Sequence, residues 1–163
     1  MSDAPMTANR RKIECLRLSP SAQVVAEARR YAVRTVELLG ADREAQESVR
    51  TLVSELVTNA VLHAGTDILL GITDANCQVR VSVTDGSPAL PHQRRIDHVS
   101  ATGRGLRLLR ILSVTSGTDS SDAVRPGGKS VWFTVSKQTG GRERETAATE
   151  ARMLFGVDLE GAW

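Results

Sequence analysis

The sequence predicts an α+β fold. Two long segments carry apolar residues at three- and four-residue steps, two neighbouring segments alternate apolar with polar residues, and a β-branched and aromatic run surrounds position 132. With 163 residues the chain fits one domain of common size and has material for a sizeable core. Aromatic residues are only 3% of the total, so that core has to be aliphatic.

The elements follow in order. Residues 1–11 are polar and read as a flexible N-terminus ahead of a folded unit spanning 12–137. Ile13 to Leu18 alternates as a short strand, and Ser19-Pro20-Ser21 ends it while offering caps for the next element. Residues 21–39 place Val24, Val25, Ala28, Tyr31, Ala32 and Thr35 at helical spacing, closed by Gly40. Residues 42–64 form the strongest helical pattern, with Val49, Leu52, Val53, Leu56, Val57, Ala60 and Val61 on one face. Asp42 is placed to cap its start and Gly65 to follow its end.

Past Gly65 the period falls to two. Ile68, Leu70 and Ile72, then Val79, Val81 and Val83, mark the buried faces of two strands joined through Asp74-Ala75-Asn76, an antiparallel hairpin. Asp85 continues the odd-numbered series. If the strand persists, its carboxylate points inward and has to be paired, hydrogen-bonded or aimed at a ligand; if the strand stops at Thr84, Asp85-Gly86 is a polar turn. Residues 86–102, with Pro88 and Pro91, show no periodicity and read as a functional loop or lid. They lead into Gly103-Arg104-Gly105 and the apolar run Leu106 to Leu112, a helix start whose backbone N–H groups suit a phosphate.

Two better-known nucleotide motifs fail. Position 108 is leucine, which breaks the dinucleotide fingerprint, and Ala123 stands where a P-loop needs its first glycine. Residues 129–136 follow as a strand where a P-loop needs a helix, so Lys129 enters a hairpin and is no Walker lysine. Residues 114–121 are a weaker strand, and 138–163 form an extension of unassigned role, with a helical pattern from Thr146 to Phe155.

Composition excludes several classes of function. A net charge of +2 without like-charge blocks gives no reason to expect direct nucleic-acid or membrane binding. Cys15 and Cys77 form no metal or disulfide pattern, no stretch approaches transmembrane length, and Met1 to Arg11 lacks the apolar segment of a signal peptide. A reducing, cytoplasmic setting is the expectation.

The long helix carries Glu55, Asn59 and His63 at four-residue steps, a polar stripe along the edge of its apolar face. Alone, such a stripe is also what an ordinary solvated helix edge shows. Its string Ser-Glu-Leu-Val-Thr-Asn-Ala-Val-Leu-His-Ala (54–64), followed by Asp85-Gly86-Ser87-Pro88 and Gly103-Arg104-Gly105-Leu106, resembles the N box and glycine boxes of the histidine-kinase-like (GHKL) ATPase superfamily. Within it, the anti-sigma-factor serine/threonine kinases are most similar. The resemblance spans roughly residues 13–136 and leaves the C-terminal extension outside.

That resemblance implies a two-layer α/β sandwich, a mixed and mainly antiparallel sheet covered on one face by helices, with ATP and Mg²⁺ as cofactors. It implies Asn59 as a metal ligand, since an amide oxygen suits Mg²⁺, and Glu55 as the catalytic base one turn earlier. Asp85 with Gly86 would receive the adenine amino group, which guanine lacks at that position. Gly103, Arg104, Gly105 and Leu106 would lie at the phosphates, aided by Arg94 or Arg95; Ser130 would touch adenine, and His63 would orient the helix end. The implied partners are an anti-anti-sigma protein as phosphoacceptor, a sigma factor, and a second copy of the chain in a homodimer. A binding module that holds ATP with little turnover, and an interaction domain that binds no nucleotide, remain the competing readings.

Overall fold

The computed structural model describes residues 13–88 and 108–138. The Gly103 to Leu106 helix start, Arg94, Arg95 and the extension beyond Gln138 lie outside the described residues. Five strands and two long helices are laid down as β1 (Ile13–Leu18), α1 (Val24–Leu38), α2 (Arg43–His63), β2 (Ile68–Ala75), β3 (Gln78–Asp85), β4 (Thr115–Ser121) and β5 (Gly128–Ser136). The strand order is β1-β2-β3-β5-β4, and all four pairings are antiparallel. The expected mixture of directions therefore reduces to one antiparallel sheet among the described strands.

Local chemistry accounts for the helix ends. The Asp42 carboxylate accepts a hydrogen bond from the Ala45 N–H at 2.9 Å, capping α2, and Gly65 leaves the helix at a φ of +60°, a conformation that costs glycine little. Gly40 does the same for α1 at +87°. The start of α1 differs from expectation: no side chain caps it, and residues 21–23 form a turn in which the Ser21 carbonyl meets the Val24 N–H. The β2–β3 turn sits one residue later than the sequence suggests, because Asn76 takes the left-handed conformation (φ 65°) while the Asp74 carboxylate holds its N–H.

The core lies between the helices and one face of the sheet. Ile68, Leu70 and Ile72 of β2, Val79 and Val81 of β3 and Phe133 of β5 are fully buried against Val49, Leu52, Val53 and Val57 of α2. Each such side chain contributes on the order of 1.5–3 kcal/mol through its removal from water. The opposite sheet face is more polar: the Arg80 guanidinium lies 4.1 Å from the Trp132 ring centre and pairs with Asp119.

Helix α2 is anchored at both ends. The Asp42 N–H, at its start, donates to the Lys137 carbonyl just past β5 at 2.7 Å, and Thr66, just past its end, accepts from the Gly86 N–H at 2.8 Å. Twenty-one helical residues span about 31 Å and nine strand residues about 30 Å, so α2 runs the length of β5 and in the opposite direction. The end of α2 and the end of β3 therefore meet at the same edge of the molecule.

Candidate functional site

The site begins with the stripe on α2. Leu52, Val53, Leu56, Val57 and Ala60 are buried; Glu55 and Asn59 are half-buried at the border of that face, and His63 is exposed. This border position is what the sequence predicts. Asn59 carries the more informative atom: its Oδ1 is buried and has no hydrogen-bond partner. A buried acceptor left unpaired costs about 1–3 kcal/mol unless a ligand completes it. Asn59 sits four residues, about 6 Å of helix rise, before His63 and so near the edge where α2 and β3 meet.

The strand β3 does persist to Asp85, and the inward reading of its parity holds. Asp85 is 3% exposed, on the same sheet face as Val79, Val81 and Val83. Its carboxylate Oδ1 accepts from the Ser87 N–H at 2.8 Å, a local turn that shapes the exit into the Pro88 loop. The Gly86 N–H turns the other way, onto Thr66. Asp85 and Gly86 are thereby tied to the end of the helix that carries Glu55 and Asn59.

The sequence reading missed the residue opposite Asp85. Lys129 is its direct cross-strand neighbour, and the Lys129 ammonium donates to Asp85 Oδ1 at 3.0 Å with both side chains nearly enclosed. The parity cue was available, since Lys129 continues the inward series of Val131, Phe133 and Val135. Only the register of β3 against β5 says which residue it meets. Ser130, one step along, consequently belongs to the other sheet face, where its hydroxyl accepts from Thr84 at 2.9 Å. The structure does not bring Ser130 to the side of Asp85, because successive strand residues point in opposite directions.

Gly128 makes this pairing possible. A Cβ built there would stand 2.3 Å from the Asp85 carbonyl oxygen and 2.8 Å from that of Ser121, both backbone atoms with no freedom to yield. Gly128→Ala is expected to cost about 1–3 kcal/mol as an overpacked position, read as a lower urea midpoint with an unchanged slope.

A polar stripe on α2 and an acidic end of β3 thus meet at one edge of an antiparallel sheet. Residues 18–135, more than two thirds of the chain, match the family model described as the histidine kinase-like ATPase domain. The chain belongs to that family. None of the curated proteins compared with it is significantly similar. The match makes this a histidine kinase-like ATPase of α+β fold, in a class of domains that binds ATP, and its span takes in α1, α2, β2, β3 and β4 whole, β5 up to Val135, and of β1 only Leu18.

For this ATPase domain, the donor set fits Mg·ATP. Asn59 Oδ1 is a hard, neutral oxygen awaiting a partner, and it is the atom type that Mg²⁺ takes while keeping its waters. Leu108 and Leu109, buried in the core in the helical residues 108–112, anchor the element that the Gly103-Arg104-Gly105 stretch precedes. A separate groove of about 450 Å³ lies between α1 and α2, lined by Arg29, Arg30, Arg34 and Arg50. It is nine residues, about 13 Å, back along α2 from Asn59 and contains none of the predicted site residues. No helix among the described residues is long and apolar enough to cross a membrane.

Proposed function

We propose that this ATPase domain is a cytoplasmic regulatory kinase that uses Mg·ATP to phosphorylate a serine or threonine of an anti-anti-sigma partner, and that it sequesters a sigma factor as a homodimer. The observation that carries the nucleotide part is the unpartnered, buried Oδ1 of Asn59 beside the helix end that Thr66 ties to Asp85 and Gly86. The kinase part is supported by Glu55, one helical turn before Asn59 on the same border.

Mg·ATP, when bound, would supply the γ-phosphoryl group and a divalent charge to offset that of the phosphates. Asn59 would hold the metal through its unpartnered Oδ1. Glu55 would accept the proton of the attacking hydroxyl, the bound nucleotide supplying the phosphoryl group and ADP as its leaving group. Asp85 would receive the base, and Gly86 lets the backbone turn there; the family likeness assigns the phosphates to Gly103, Arg104, Gly105 and Leu106.

The decisive measurement is transfer of labelled γ-phosphate to a purified anti-anti-sigma protein. Glu55→Ala is expected to lower the transfer rate about 10²–10⁴-fold, the usual worth of a general base, while nucleotide affinity changes little. Undiminished transfer in that variant would remove Glu55 from the chemistry. Tight ATP binding without transfer by the unaltered protein would leave a nucleotide-held binding module.

A further inference from the structure

The ion pair at the end of β3 and β5 changes what the base end of the site can recognise. This inference rests on the reading of Asp85 as the residue that meets the purine. A lone carboxylate offers acceptors only. It suits the amino group of adenine and rejects guanine, whose carbonyl oxygen in the same place would face another acceptor.

Here the carboxylate is not alone. Lys129 lies directly across from it, 3.0 Å away, on the same enclosed sheet face, with side-chain exposures of 11% for the lysine and 5% for the aspartate. An ammonium has three N–H donors, of which one is directed at Asp85 Oδ1. The edge therefore presents an acceptor and a donor side by side.

We propose that Lys129 is a specificity-determining residue that converts the adenine-reading end of the site into a donor–acceptor pair able to take either purine. With adenine, Asp85 accepts from the amino group and Lys129 donates to the neighbouring ring nitrogen. With guanine, Lys129 donates to the carbonyl oxygen and the two oxygens of Asp85 accept from the adjacent ring N–H and the 2-amino group. In both cases no polar group of the base edge is left unsatisfied, and that is the condition that removes discrimination.

The test is calorimetric titration of the full chain with Mg·ATP and Mg·GTP, for the unaltered protein, Lys129→Thr and Lys129→Arg, with melts in the absence of nucleotide to establish folding. The unaltered protein is expected to bind the two nucleotides within about tenfold of each other. Lys129→Thr keeps a short donor for Asp85 but withdraws the one aimed at the base, and should weaken GTP relative to ATP by about tenfold or more, equivalent to about 1.4 kcal/mol. Lys129→Arg retains donor and charge and should keep the parent ratio. An unaltered protein that already prefers ATP by more than about a hundredfold would overturn the proposal without reference to any variant. So would an unchanged ratio in Lys129→Thr, or loss of GTP binding in Lys129→Arg as large as in Lys129→Thr. If the unaltered protein binds neither nucleotide, the nucleotide-site reading itself fails, a result distinct from each of these.

Discussion

Asp85→Ala is expected to destabilise the protein by about 3–5 kcal/mol, the usual consequence of removing one partner from a buried ion pair and leaving the other uncompensated. The Lys129 ammonium would remain nearly enclosed without its carboxylate, and the Ser87 N–H would lose its acceptor. The second half of the expectation separates this cause from simple loss of packing. Replacing both members, Asp85→Leu with Lys129→Met, removes the stranded charge and should recover most of the loss, because apolar substitutes for a whole buried pair are often neutral or stabilising. Chemical denaturation of the single and double variants measures both. A double variant as unstable as Asp85→Ala would show that the pair is not the source of the effect.

Mg·ATP at a hundred times its dissociation constant should stabilise the unaltered protein by about 2.7 kcal/mol, and Asn59→Ala should abolish most of that gain. The melting temperature with and without nucleotide is the readout. The sign of the basal change is informative as well. Asn59 Oδ1 is an unpaired buried acceptor, so removing it relieves a desolvation cost, and Asn59→Ala should be as stable as the parent or more stable without nucleotide. A side chain that weakens the empty protein and completes the liganded one is what a binding role requires; a structural asparagine would show the reverse. Loss of basal stability in Asn59→Ala, with the nucleotide shift intact, would assign Asn59 to the scaffold.

These two expectations come from different ends of one site, and they were not equally readable. Asn59 belongs to a helix whose border stripe is set by a period of 3.6 and whose limits are set by Asp42 and Gly65, all within a few residues of chain. Asp85 was half readable. Its inward direction follows from alternation with Val79, Val81 and Val83, whereas its partner does not follow from anything nearby. Ser130 shows the same limit from the other side: family likeness points to it, and a one-residue step in β5 puts it on the opposite face, hydrogen-bonded to Thr84. The loop and the Gly103 to Leu106 helix start, legible as motifs, lie outside the described residues.

The order of the elements, the ends of the long helix and the apolar faces of β2, β3 and β5 were legible in the sequence, and alternation offered an inward Asp85 as one of two readings. Those features depend on torsional preference, capping and hydrophobic period, which act between residues close along the chain. Tertiary structure alone decided that Lys129 faces Asp85, that Ser130 does not, and that Thr66 binds the end of α2 to Gly86. Lys129 and Asp85 are 44 residues apart, and Thr66 and Gly86 are 20 apart. Such contacts are fixed by strand register, where a slip of one residue exchanges the two faces of a strand, and register is set by the packing of the whole sheet against its helices.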